Sequence, residues 1–173
     1  MIKNLKYIII LFFVVGCTSS KVFYDYDAKT DFSKYTSYHY FEDVGDGLNE
    51  LDVKRFTRSI DYLLDSVKIK KAEKPSFFIN VISEKSDVDQ NGVGIGVGGG
   101  GRNLGVGFST AISLGGKKIN ERITVDFVDA SSNTLFWQGV LNVKVREKMK
   151  PEERVKLVNQ IVRRILSNYP PKN

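Results

Sequence analysis

Apolar and polar residues alternate in short segments along the first half of the chain. The alternation predicts two strands at residues 22–26 and 36–40, separated by a turn at residues 31–34. A further segment, residues 77–82, is apolar on both parities, which is typical of a central strand. Eight aromatic residues lie between Val22 and Phe41, in and around the first two of these strands.

Two more strands are predicted in the second half, at residues 119–128 and 134–145, with a turn between them. In the later segment the dominant apolar parity changes between Phe136 and Leu141. A strand that is apolar on both parities is expected near the middle of a sheet, with neighbours on both sides.

Two other segments repeat apolar residues at steps of three and four, which predicts amphipathic helices. The first covers about residues 51–67 and has Asn49 as a candidate N-cap; the second covers about residues 151–167, starts at Pro151 and stops before Pro170-Pro171. The predicted inner faces are Val53, Phe56, Ile60, Leu63 and Val67 in the first helix, and Val155, Val158, Val162, Ile165 and Tyr169 in the second.

Glycine is concentrated between these elements, since eleven of the fifteen glycines lie between Gly92 and Gly116. They alternate with apolar residues, which predicts a long hairpin that turns at residues 98–103 and has one apolar and one bare face. One hypothesis is structural: the bare face allows another element to lie close. The other is functional: the tip contacts a partner through Gly99, Gly100, Gly101 and Arg102.

The predicted order of elements is β β α β β β β β α. Short turns between successive strands favour antiparallel pairing. The sequence therefore predicts a single α+β domain: a mostly antiparallel sheet, two amphipathic helices packed on one face, and the Gly-rich β-hairpin.

The N-terminus has the pattern of an export signal. Lys3 and Lys6 precede an unbroken apolar run at residues 7–15. This run is too short to span a membrane, since a membrane-spanning helix needs about 20 apolar residues. The following Val14, Val15, Gly16 and Cys17 resemble the lipobox of bacterial lipoproteins. The resemblance implies cleavage before Cys17 and lipid attachment to its thiol; the other interpretation is an ordinary signal peptide with an incidental cysteine. The chain then divides into a signal peptide (1–16), a lipidated tether (17–21) and a domain (22–171).

Composition narrows the classes of function. The chain has one cysteine, so an internal disulfide and a cysteine metal site are excluded. Removal of the signal peptide, with Lys3 and Lys6, lowers the net charge from +6 to +4. A charge of this size is only a weak indication of nucleic-acid binding, and we expect no nucleic-acid partner. The residue after Cys17 is Thr18 rather than Asp, which by the same resemblance favours the outer membrane, facing the periplasm.

The domain resembles a family of bacterial lipoproteins that share the domain of unknown function 4136. The resemblance rests on the opening Val22-Phe23-Tyr24-Asp25-Tyr26-Asp27, on the segment Ile123 to Asp129 followed by Leu135-Phe136-Trp137-Gln138-Gly139, and on the final Asn168-Tyr169-Pro170-Pro171. Residues 68–77 depart from the family's usual pattern. The resemblance implies fold and location but no activity.

Two short motifs suggest chemistry only in part. Gly94-x-Gly96-x-x-Gly99 matches a dinucleotide fingerprint in spacing, yet alternation continues on both sides where a helix should begin. Asp87-x-Asp89-x-Asn91-Gly92 matches the first half of a calcium loop, but Gly98 stands where the bidentate Glu is required. A polar strand end is the preferred interpretation of the second motif.

The sequence singles out no catalytic pair among the remaining polar candidates, and a hydrolase with paired carboxylates is a third hypothesis. His39 is the single histidine, Asp25 and Asp27 share one strand face, and Asp126 and Asp129 flank a turn. We therefore expect a non-enzymatic protein without a cofactor or metal, held at the membrane by a lipid anchor, that binds an envelope protein or lipid or supports envelope integrity. The alternative is a carrier or chaperone for a hydrophobic ligand, bound between the sheet and the Gly-rich hairpin.

Overall fold

The computed structural model describes residues 21–88 and 117–171. Within these ranges, six strands form one sheet and two helices pack on one face of it, which is an α+β architecture. The strands are β1 (Val22–Tyr26), β2 (Ser37–Tyr40), β3 (Lys70–Lys71), β4 (Phe77–Asp87), β5 (Lys118–Asp129) and β6 (Leu135–Arg146). The helices are α1 (Glu50–Ser66) and α2 (Pro151–Ile165).

The sheet is mixed, with the strand order β1-β6-β5-β4-β2-β3. β1, β6, β5 and β4 pair antiparallel in succession, whereas β2 runs parallel to both β4 and β3. The parallel pairings were not predicted. They arise because α1 lies between β2 and the strands that follow it, and a helical crossover returns the chain in the same direction.

α1 begins as predicted, since the side chain of Asn49 accepts a hydrogen bond from the Asp52 amide at 2.9 Å. It ends at Ser66, within one residue of the predicted end, but the predicted inner face is wrong at Val67. Lys68 adopts a positive φ of 65° and the chain turns away from the helix, leaving Val67 51% exposed rather than on the inner face. The buried residues of α1 are Asp52, Phe56, Ser59, Ile60 and Leu64.

α2 has Pro151 in its first turn, with Glu152 and Glu153 beside it and basic residues in the last turn, as the helix dipole favours. Its buried face consists of Val158, Ile161, Val162 and Ile165. Val155 was predicted to face inward but is 42% exposed, because the inner face starts one turn later.

The core lies between the helices and the sheet and is rich in aromatic rings. Trp137 is fully buried, with its ring 4.7 Å from that of Phe127 and 5.3 Å from that of Tyr169. Tyr35 stacks on Phe136 at 3.7 Å and meets Phe77 edge to face. Such contacts stabilise an aromatic core beyond the gain from buried area.

The parity change in β6 has a local cause. The register of β5 and β6 shifts between Phe127 and Val128, so that Phe136 is an extra residue on β6. Both Phe136 and Trp137 are therefore buried, although they are adjacent in sequence. The prediction of a central strand is correct, since β6 lies between β1 and β5.

One further difference concerns the middle of the chain. The lysine-rich segment before Pro75 contributes the short edge strand β3, which the charge pattern did not predict. The predicted strands and turn between Gly92 and Gly116 lie outside the described residues.

Candidate functional site

The lipidation and hairpin-tip predictions fall outside the described ranges. Cys17 and the lipobox residues Val14, Val15 and Gly16 precede residue 21, and Gly99, Gly100, Gly101 and Arg102 lie between residues 88 and 117. Over the described part of the chain, no helix combines the length and apolar character needed to cross a membrane.

The calcium-loop candidate is described only at its first position. Asp87 ends β4, and its carboxylate pairs with the Lys117 ammonium at 2.7 Å. Asp89, Asn91 and Gly92 lie outside the described residues. No cluster of three or more His, Cys, Asp or Glu side chains with metal-binding geometry occurs within residues 21–88 and 117–171.

The other polar candidates are separated by the fold. His39 is half-buried on β2, with Nδ1 3.0 Å from the Tyr40 carbonyl oxygen. Asp126 lies inside β5 rather than at a turn, and its carboxylate accepts a hydrogen bond from the Gln138 amide at 2.8 Å. Burial raises the pKa of the Asp126 carboxyl, and the bond from Gln138 offsets part of that rise.

Asp129 ends β5 and organises the turn that follows, as predicted for an aspartate in this position. It accepts hydrogen bonds from the hydroxyl and amide of Ser131 and from the amide of Ser132. The Lys34 ammonium at 3.0 Å and the Tyr35 hydroxyl at 2.8 Å also donate to it. These donors, the Ser131 hydroxyl first, hold the pKa of Asp129 well below its ordinary value.

A buried ionic cluster joins both helices to the sheet. The Arg154 guanidinium of α2 donates to both carboxylate oxygens of Glu121 on β5, at 2.7 and 2.8 Å, and forms an ion pair with Asp52 of α1 at 3.0 Å. Arg55 donates to Asp52 at 2.6 Å, and the Ser83 hydroxyl donates to Glu121 at 3.1 Å. Two cations and two anions therefore neutralise each other in the buried cluster.

The cluster forms one wall of a groove of about 520 Å³. Burial opposes the charge of Arg154, but its bonds to Glu121 and Asp52 outweigh burial and raise its pKa. Burial likewise opposes the ionised form of Asp52, yet the two arginines lower its pKa. Every charge in the cluster has a partner of opposite sign, and the cluster links α1, α2 and β5.

Sequence reasoning missed this cluster, although two signals were present. Glu121 has the same strand parity as Ile123 and Val125, so alternation placed it on the buried face. Asp52 lies four residues before Phe56, which places it on the inner side of α1.

The sheet has one long and well-exposed edge, at β1. Phe23, Tyr24 and Tyr26 are 52%, 48% and 39% exposed. β1 pairs with β6 on one side, and no strand of residues 21–88 and 117–171 pairs with its other side. Beside it lies a hollow of about 260 Å³, whose walls include Asp25, Asp27 and Leu135.

The sheet face opposite the helices, here called the open face, has no covering helix or strand among the described elements. It carries Phe78, Ile82, Asp126 and Val140. By strand alternation, Phe23 and Asp25 continue this face on β1. Edge and open face together form the candidate interaction surface.

The fold and this surface define a single α+β domain in which helices protect one side of a mixed sheet. The chain belongs to the family described as domain of unknown function DUF4136, whose model matches residues 22–171. No curated protein matches the chain in sequence.

Among solved structures, the chain is similar to a PDZ domain protein from Parabacteroides distasonis, with a TM-score of 0.58 and 10% identity over 89% of this chain. It spans 36% of that longer protein. It is also similar to two structures of the PelC dodecamer from Paraburkholderia phytofirmans, with TM-scores of 0.52 and 0.53 and 8% identity. The PelC matches cover 86% and 90% of this chain, and 95% and 100% of PelC. At these identities the likeness shows the fold alone.

Proposed function

We propose that this protein is a non-enzymatic lipoprotein of the cell envelope, anchored through Cys17, that binds another polypeptide along the free edge of β1. The observation that carries the proposal is the exposed edge strand itself. An unpaired strand edge presents backbone donors and acceptors that a second extended chain satisfies by adding a strand.

The position of β1 in the chain supports binding near a membrane. Val22 follows Cys17 by five residues, and five residues extend at most about 18 Å. A lipid on Cys17 would therefore keep the β1 edge close to the bilayer surface. The proposed location is the outer membrane, on its periplasmic side.

The polar contacts within the described residues support a binding role rather than catalysis. Glu121 and Asp52 are held by arginine, and Asp129 by the turn and Lys34. The 520 Å³ groove is walled largely by charged side chains, including Lys85, Lys117 and Arg146. Such walls do not suit an apolar ligand in this groove. The alternative role as a hydrophobic carrier places its ligand against the Gly-rich hairpin, which lies outside the described residues.

Site-specific photocrosslinking in cells tests the binding edge. A photoreactive amino acid at position 24 is expected to capture a polypeptide, whereas the same group at Tyr62, an exposed tyrosine on α1, is expected to capture little. Equal capture at both positions, or none at position 24, would contradict binding at β1.

Metabolic palmitate labelling tests the anchor separately. The wild-type chain is expected to incorporate the label and the Cys17→Ser variant to lose it. A variant that retains the label would rule out attachment at Cys17 without bearing on the β1 edge.

A further inference from the structure

The backbone groups on the free side of β1 are those of its even-numbered residues. The Asp27 amide donates to the Phe136 carbonyl at 3.2 Å, so the odd-numbered residues of this strand face β6. In antiparallel pairing the hydrogen-bonding direction alternates along the strand. The amides and carbonyls of Val22, Tyr24 and Tyr26 therefore point away from the sheet.

Within the described part of the chain, the outward groups of Tyr24 have no hydrogen-bond partner. The Tyr26 amide is bonded to the carboxylate of its own neighbour Asp25 at 2.9 Å, in an exposed contact. Such a bond is readily exchanged for one to another strand, because water competes with it in the free chain.

The charges near β1 are arranged symmetrically about Tyr24. Lys21 lies three residues before Tyr24 and Asp27 three residues after it, and both are exposed. Neither Asp25 nor Asp27 forms an ion pair with a residue of the described ranges. When a strand with this pattern pairs antiparallel with itself about Tyr24, Lys21 of each copy lies opposite Asp27 of the other.

We propose that the polypeptide bound at the β1 edge is a second copy of this chain, paired antiparallel through β1 and centred on Tyr24. The proposal rests on the function proposed above and specifies its partner. Two ion pairs, Lys21 with Asp27 in both directions, flank a central pair of Tyr24 side chains. Cross-strand pairs of opposite charge and of aromatic residues both favour this register.

The register also fits two lipid anchors on one membrane. Val22 of one copy lies opposite Tyr26 of the other, so the two Val22 residues are separated by about 14 Å along the strands. The two tethers leave from opposite ends of the paired strands, and each extends at most about 18 Å, which lets both reach a membrane that faces the joined sheets. A five-residue strand buries little area by itself, and anchoring raises the effective concentration of the second copy.

Disulfide trapping in membranes tests the proposal with the full-length chain. Its single cysteine would be occupied by lipid, so Tyr24→Cys supplies one free thiol. Across the proposed twofold axis the two Cα atoms would be about 5.5 Å apart, which suits a disulfide. We expect oxidation to give a dimer for Tyr24→Cys and little for Tyr26→Cys, whose two copies are out of register, or for Tyr62→Cys on α1.

Charge reversal tests the register through the side chains at its two ends, with the Tyr24→Cys disulfide as the reporter. In the Tyr24→Cys background, Lys21→Asp or Asp27→Lys alone creates two like-charge pairs and is expected to lower dimer yield roughly fivefold or more. Combining the two reversals restores opposite charges and is expected to restore the yield. Far-ultraviolet circular dichroism of each variant checks that the fold is retained.

Three results would overturn the proposal. Equal disulfide yields at positions 24, 26 and 62 would indicate random collision, and failure of the double reversal to rescue would exclude this register. Capture of a different polypeptide by the photoreactive group at position 24, without a disulfide dimer, would refute self-pairing while leaving the β1 edge as a binding site.

Discussion

The two edges of the sheet differ in length, side chains and access. The β1 edge has five residues, three exposed aromatic side chains and charges of both signs near it. The β3 edge has two residues, both lysines, one paired with Asp65 and the other lying over the Tyr40 ring at 4.9 Å. Short edges with lysine resist strand addition, whereas longer edges without such protection invite it. One sheet thus has one protected edge and one that is open to a partner.

The two sides of the sheet are also held differently. Near β1, the strand pairs with β6 above the buried ring of Trp137. Near β3, the Tyr38 and Tyr40 hydroxyls both donate to Asp61 of α1 at 2.7 Å. Burial, and then Asp61, raise the pKa of both tyrosines, so both hydroxyls stay protonated donors at neutral pH. Apolar packing therefore supports the β1 edge, and polar contacts support the β3 edge.

The largest effect is expected for Trp137→Ala. Removing this fully buried ring leaves a cavity beneath β1, and we expect the free energy of unfolding to fall by about 3–5 kcal/mol. Chemical denaturation measures the loss, and amide exchange in β1 should rise first. Tyr62→Ala, at a position 71% exposed, is the matched control and should change stability little. Similar losses in both variants would contradict the role given to the core.

A smaller loss of stability is expected for Asp129→Ala, which removes contacts to the segment that connects the two edge regions of the sheet. The segment from β1 to β2 is tied to Asp129 through Lys34 and Tyr35. Loss of several bonds to a charged group should cost about 1.5–3 kcal/mol at pH 7. Denaturation at neutral pH measures this difference.

The pH dependence of that difference has a definite sign. The folded-state pKa of Asp129 is lowered, so its contribution is fully present above the ordinary carboxyl value of about 3.9 and is lost as pH falls below it. The gap between wild type and Asp129→Ala should therefore narrow at pH 3. A gap that stays constant or widens in acid would exclude the proposed charge contacts.

Tyr40→Phe tests the protected side and should cost less, about 0.5–1.5 kcal/mol. The ring stays in place, while the hydroxyl that donates to Asp61 is removed. Tyr62→Phe is the control for loss of an exposed hydroxyl. A cost equal to that of Trp137→Ala would show that polar contacts are as important as core packing here.

The smallest change in stability is expected when the β3 edge loses its lysines. Lys70→Thr combined with Lys71→Val should alter the free energy of unfolding by no more than about 0.5 kcal/mol, because both side chains are exposed. Self-association should increase, because the protected edge becomes a strand without charge. Sedimentation analysis distinguishes this variant from wild type; unchanged sedimentation would show that the lysines do not protect the edge.

Much of the fold could be predicted from local patterns. The Asn49 cap, the start of α2 at Pro151 and the strand alternation from Ile123 to Phe127 each depend on residues close in sequence, and each was found as expected. β3 was missed because a two-residue edge strand is set by its neighbour β2 rather than by its own residues. The Arg154 cluster was missed for the same reason: its members come from α1, β5 and α2.

The long pairing of β4 with β5 has a consequence for protein engineering. Its ladder extends to Asp87 opposite Ile119, and the Lys117 ammonium lies 2.7 Å from the Asp87 carboxylate, so the strand ends on either side of residues 89–116 lie next to each other. When the ends of a segment are already together, its length adds little entropic cost to folding, since each doubling costs only about 0.6 kcal/mol. Residues 88 and 117 therefore mark a position where a reporter or an affinity tag could be inserted with little entropic cost to folding.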